Sequence, residues 1–156
     1  MSKSLKRVFM EAAELKLNIN IIELTAETKT ANAAAEALEC EIDQILKSII
    51  FLNENTGKCI LFMTSGGNRV DLSKASRCVG APLSHANANI IRKQTGFAIG
   101  GVSPIGHLNS IEKFMDPRLL EFNIIWAAAG TPKSMFCIDP QKLHMSSGAV
   151  LYNFTE

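Results

Sequence analysis

Lys47 stands in a run that a lysine should avoid. Ile45, Leu46, Ile49, Ile50 and Phe51 surround it and mark a buried strand. An ammonium withdrawn from water there is costly unless it is paired or lines a polar cavity. Strand alternation puts Lys47 on one face with Ile45, Ile49 and Phe51. Its side chain either snorkels to solvent from the start of the strand or faces a cavity. A second feature is Gly96-Phe-Ala-Ile-Gly-Gly-Val-Ser-Pro-Ile-Gly106, where five of eleven residues are Gly or Pro and none is charged. Gly100 and Gly101 allow positive φ and close approach of a ligand, and their N–H groups could bind an anion or a carbonyl oxygen. Pro104 stiffens the far end. The alternative is a structural loop crossing a sheet. A third feature is Thr64-Ser-Gly-Gly-Asn-Arg-Val-Asp71, which brings Ser65, Asn68 and Arg69 to the end of a strand, with Asp71 as a helix cap. His107 follows the glycine loop directly.

Several chemistries are absent from this pattern. The loop is neither GxxxxGK[ST] nor GxGxxG, and Gly101 to Gly106 has one residue too many for a nucleophile elbow. No Ser-His-Asp set, paired-carboxylate pattern or thiol with a nearby base can be assembled. Cysteines 40, 59, 78 and 137 include no CxxC, and histidines 85, 107 and 144 are scattered, so no metal site is expected. Free thiols suit a reducing cytoplasm. No apolar segment of membrane-spanning length and no secretory h-region follow from the sequence, so a cytoplasmic protein without a membrane partner is expected.

The elements that must position these residues can be read in outline. Residues 3–17 carry apolar positions at a helical period. Asn20 to Leu24 is a β-branched strand. Thr30 caps an alanine-rich helix to Leu38. Ile45 to Asn53 and Lys58 to Thr64 form a hairpin around an Asn-Glu-Asn-Thr-Gly turn. Helices follow Asp71 and Asn87, the second ending at Gly96. Asp116-Pro117 and Asp139-Pro140 each read as a cap with Pro at the first helical position. Strands are expected over Phe122 to Ala129, Ser134 to Ile138 and Ala149 to Phe154. The fold class is α+β: one domain over residues 1–156, with a mixed, mostly antiparallel, barrel-like sheet of about six or seven strands and helices outside.

Composition bounds the function. The 156 residues are 47 % hydrophobic and 20 % charged, enough for a core and too apolar for a disordered chain. Sixteen Lys plus Arg against fifteen Asp plus Glu leave a net charge of +1, which excludes generic coating of a polyanion. It leaves room for local contact with a few phosphates, for which Lys3, Lys6, Arg7, Lys29, Arg69, Arg92 and Lys93 are candidates.

The chain resembles the free-standing aminoacyl-tRNA editing domains of the YbaK/ProX type, related to the insertion domain of bacterial prolyl-tRNA synthetase. The resemblance rests on Thr30-Ala31, Gln44 to Phe51, Gly67 to Leu72, Thr95 to Gly106, Asp116 to Leu120, Ala127 to Gly130 and Asp139-Pro140, in that order. One departure is Glu39, where the family commonly has glycine. The resemblance implies a hydrolase that deacylates mischarged tRNA in trans, without metal or organic cofactor. The substrate it suggests is tRNA-Pro carrying a small wrong amino acid such as alanine or cysteine. Lys47 then holds polar groups of the substrate. The backbone of Gly100 and Gly101, in the GxxxP loop, binds the ester carbonyl. Thr30, Ser48, Ser65, Asn68, Ser103, Pro104 and His107 are expected to wall the pocket. The partners implied are the tRNA acceptor end and a prolyl-tRNA synthetase. The alternative is a module of the same fold that binds tRNA or a synthetase without turnover.

Overall fold

The computed structural model describes residues 1–156. Helix α1 (Lys3–Glu14) leads into strand β1 (Asn20–Glu23) and helix α2 (Ala31–Leu38). The hairpin is β2 (Leu46–Asn53) and β3 (Cys59–Ser65). After it come α3 (Leu72–Val79), β4 (Leu83–His85), α4 (Ala88–Thr95), β5 (Glu112–Met115), β6 (Ile125–Ala128), β7 (Ser134–Ile138), α5 (Pro140–Ser147) and β8 (Val150–Leu151).

These strands form two sheets and no closed barrel. One has five strands in the order β4-β2-β3-β5-β8, the other three in the order β1-β7-β6. The barrel-like single sheet expected from the sequence is corrected on this point. The backbones of the two sheets pair only at a parallel bridge from Ile45 to Trp126, so the ladder never closes, though their side chains share one core. Pairing is mostly antiparallel, with β3–β5 and β5–β8 parallel. Strands β4 and β5 were missed. One has three residues, and the other begins Glu-Lys and carries no apolar alternation. The helix expected after Asp116-Pro117 is a 3-10 segment, Pro117–Glu121. By Phe122 the chain is already extended toward β6. Helix α1 stops at Glu14 because Lys16 takes a left-handed φ of 57°.

Central strand β3 is buried along its whole length and alternates between two cores. Cys59, Leu61 and Met63 face a large core shared with Val8, Phe97, Ile105 and Phe136. Ile60 and Phe62 face a smaller one with Phe51, Phe114 and Phe154. Phe62 packs edge-on against Phe51 and Phe154 and stacks on Phe114. Burying each such side chain contributes roughly 1.5–3 kcal/mol. This rigid centre holds β2 in register.

The five caps expected from the sequence are in place, Asp116 and Asp139 accepting from the N–H groups of Arg118 and Gln141. Thr30, Asp71 and Asn87 accept from the N–H groups of Ala33, Lys74 and Ile90. At the other end of α2, Glu39 has φ 53° and ψ 46°, a left-handed C-cap that glycine adopts without strain.

Candidate active site

Strand β2 has an open edge. It pairs with β3 from Leu46 to Leu52, but with β4 only over Phe51 to Asn53. Asn53 N–H donates to Lys58 O across the hairpin, and Glu54 N–H donates to Pro82 O on the opposite side. By alternation, the backbone groups of Ser48 and Ile50 therefore aim at the free edge. A cleft of about 600 Å³ runs along it, within the usual size of small-molecule sites. Six consecutive residues, 45–50, line the cleft, which an open strand edge permits and a paired one does not. The other walls are residues 28–34, the glycine loop through Ile99, Gly100 and Val102, and the 131–135 turn.

Lys47 lines this cleft and is half-buried. Its Nζ donates to the carbonyl of Asn68 at 2.5 Å. Burial, reinforced by nearby Arg69, lowers its pKa below the ordinary lysine value; Asp116 and Asp43 oppose the shift. Ser48 lines the cleft next to it, and its hydroxyl is buried with no partner in the protein. Thr30 lines the cleft from the start of α2.

In the loop, Gly100 has φ +93° and open space where a side chain would stand. Gly101 lies against the 131 turn: a Cβ there would come within 2.9 Å of the Thr131 Cα. Its N–H donates to Ala98 O, closing a turn. Gly100 and Val102 both line the cleft, and neither N–H has an acceptor in the protein. Val102 is thus a donor that the sequence pattern did not single out. Thr131, Ser134 and Met135 were missed as well, because only the second sheet brings them across from β2.

Ser65 and Asn68 support the site without lining the cleft. Asp116 Oδ2 accepts from Ser65 N–H and from Asn68 Nδ2, and Ser65 Oγ donates to Asp43 O. Asp43 also pairs with Arg118 at 3.1 Å. This network holds the turn whose carbonyl receives Lys47. Ser103 and Pro104 are buried behind the loop, and Ser103 Oγ accepts from Ile105 N–H.

His107 lies elsewhere. It borders a second cavity of about 440 Å³ with Arg7, Glu11 and Lys113. Its ring meets Phe97 edge-on, and its Nε2 is buried without a partner. Burial, with Lys113 adding to it, lowers its pKa to about 3.

No Cys, His, Asp or Glu lines the cleft, and no group of three or more such residues anywhere is placed to hold a metal ion. Of the cysteines, Cys59 is buried, and burial with Glu112 nearby pushes the Cys78 thiol up to about 11. The arrangement brings two lysines, Lys47 and Lys29, the Ser48 residue with its orphaned hydroxyl, and two loop residues with unpaired N–H groups to a cleft of mixed polar and apolar walls. Donors of this kind are suited to meeting negative charge on a carbonyl or phosphoryl oxygen.

The fold is that of a mixed α+β domain with an open cleft, and comparison with known proteins places it further. The aminoacyl-tRNA editing domain model matches residues 25–145, and the chain belongs to that family. A solved structure of a candidate trans-editing enzyme for prolyl-tRNA synthetase superposes with a TM-score of 0.92 at 40% identity. The match covers 100% of this chain and 99% of that one. The uncharacterized protein YwhH of Bacillus subtilis (strain 168) is 28% identical over 90% of this chain and 88% of its own length. EbsC of Enterococcus faecalis (strain ATCC 700802 / V583), a candidate Cys-tRNA(Pro)/Cys-tRNA(Cys) deacylase, is 24% identical over 65% of this chain and 62% of its own.

Proposed function

We propose that this protein is a trans-editing hydrolase that removes a small wrong amino acid from tRNA, with tRNA-Pro as the favoured acceptor. The observation that carries this reading is the meeting of Lys47 and the 99–102 loop in one cleft, at the open edge of β2. Lys47 holds oxygen atoms of the terminal ribose or the ester. Water attacks the ester carbonyl carbon. The negative charge that builds on the carbonyl oxygen is met by the N–H groups of Gly100 and Val102. The bond from carbon to the ribose oxygen then breaks, leaving a free amino acid and a tRNA hydroxyl. Ser48 brings a buried hydroxyl without a protein partner to the cleft wall. Ala34, Ile50, Ile91 and Met135 supply apolar wall to the cleft, and they discriminate a small side chain by only about 1–3 kcal/mol per methylene. The proline side rests on the likeness to the trans-editing structure, and the synthetase is the partner that likeness suggests.

The test is deacylation of a panel of mischarged tRNAs, including Ala- and Cys-tRNA-Pro, by wild type and Lys47→Ala. Wild type is expected to hydrolyse at least one member, and Lys47→Ala to lose about 100-fold or more in kcat/KM. Equal rates would remove the role of Lys47. Binding of tRNA without turnover by the folded wild type would make the protein a non-catalytic module.

A further inference from the structure

The glycine loop makes little structure of its own. Between Phe97 and Gly106 the single backbone–backbone hydrogen bond is Gly101 N–H to Ala98 O. Gly101 rests on the Thr131 turn and Phe97 and Ile105 are buried in the core, while the polar contacts at the two ends of the loop come from α1. The Arg7 guanidinium donates to both ends: Nη2 to Gly96 O at 2.5 Å and Nε to Gly106 O at 3.0 Å. Ser4 Oγ adds a bond to Gly96 O at 3.3 Å, and the N–H of Gly106 donates to the Glu11 carboxylate. The guanidinium also lies over the Phe97 ring, 5.0 Å from its centroid, and Phe97 is fully buried. Gly106 is seated directly on the helix: a Cβ there would come within 2.9 Å of the Val8 nitrogen. Arg7 and Glu11 stand four residues apart and so share a helix face. No residue of α1 lines the cleft.

We propose that Arg7, supported by Glu11, is a positioning residue that clips both ends of the 96–106 loop and so sets the Gly100 and Val102 N–H groups in place for the substrate carbonyl. Charge-assisted bonds from one planar fork to two carbonyls suit this task. A lysine ammonium holds its donors at a single point and lacks the spread of the fork. The proposal rests on the editing reading of the cleft, because that reading makes the loop amides the donors. Displacing such donors by about an ångström is enough to cost catalysis about 100-fold.

The experiment combines steady-state deacylation of the best panel substrate with amide hydrogen exchange on wild type, Arg7→Met, Arg7→Lys and Glu11→Gln. Arg7→Met is expected to lower kcat about 10- to 100-fold with KM within about threefold. Exchange over residues 97–106 should quicken while β2 and β3 stay protected. Arg7→Lys should fail to restore kcat. Glu11→Gln, which keeps an acceptor for Gly106 N–H but removes its charge, should shift kcat and loop exchange in the same direction as Arg7→Met and by less. Wild-type kcat and loop exchange in Arg7→Met would overturn the proposal. So would a kcat loss accompanied by equal loosening of β3, which is a merely structural effect. If Arg7→Met does not fold, Arg7→Lys carries the same comparison. If wild type hydrolyses no substrate, the editing reading fails by itself, and loop exchange still decides whether Arg7 is the clip.

Discussion

Lys47 and His107 show how environment divides two residues that the sequence had assigned to one pocket. Both are withdrawn from water. Lys47 keeps an acceptor, the Asn68 carbonyl, and two carboxylates nearby. His107 faces Lys113 and Arg7 with its Nε2 unpaired. Its value near 3 lies below the 6.5 of a free imidazole. Between those two pH values the unfolded chain binds more protons than the folded one, so stability falls as pH drops. The loss begins as pH falls below about 6.5 and is complete near 3, where it amounts to several kcal/mol. His107→Gln, which does not titrate, should flatten the loss of stability between pH 6.5 and 3. Chemical denaturation across that range reads it directly, and an unchanged acid limb would remove His107 as its source. Lys47 was legible as an anomaly, because a charge among five apolar neighbours stands out. That it faces a cleft was not, since a strand's neighbours across the edge belong to another sheet.

At the scale of elements, local chemistry predicted best where one residue satisfies its own neighbours. The caps at Thr30, Asp71 and Asn87 are of this kind. Glu39 shows the reverse. Helix α2 ends there in a left-handed turn, and a side chain in that region costs about 1–2 kcal/mol per residue relative to glycine. Glu39→Gly should therefore raise stability by up to about 1 kcal/mol after glycine's greater unfolded-state entropy is counted. Thermal unfolding checks this, and a lower melting temperature would show that Glu39 contributes something its backbone strain conceals. The glycine loop was recognisable by composition. Its dependence on α1 was not, because Arg7 and Gly96 are 89 residues apart and neither carries a local signal of the other. Strands β4 and β5 are legible only in pairing: Glu112 and Lys113 become strand because Ile60 and Leu61 lie beside them.

For the whole molecule, the charge balance limits how tRNA is held. Of the seven cations that could meet phosphate, Arg7 is committed to the loop. Lys29 and Arg69 are exposed and lie 3.7 Å and 3.6 Å from Glu27 and Glu156, pairs that solvent readily releases. Lys3, Lys6, Arg92 and Lys93 are exposed. With three or four phosphate contacts, log K for uncharged tRNA against log salt should slope no more steeply than about −4. A titration from low to physiological salt measures this, and a much steeper slope would reveal a basic surface that the net charge of +1 conceals.

The sequence by itself determined the class of fold, most helix and strand positions, the caps, and the two segments that carry the candidate chemistry. These follow from periodicity, capping and turn chemistry, which act over a few residues. Only the tertiary structure decided that the sheet splits in two, that β2 keeps an open edge, and which backbone N–H groups remain free there. It also took Ser65, Asn68 and His107 off the cleft wall and put Arg7 at the loop. Those outcomes depend on pairings between segments tens of residues apart, where burial and hydrogen-bond competition choose among partners that look equivalent along the chain.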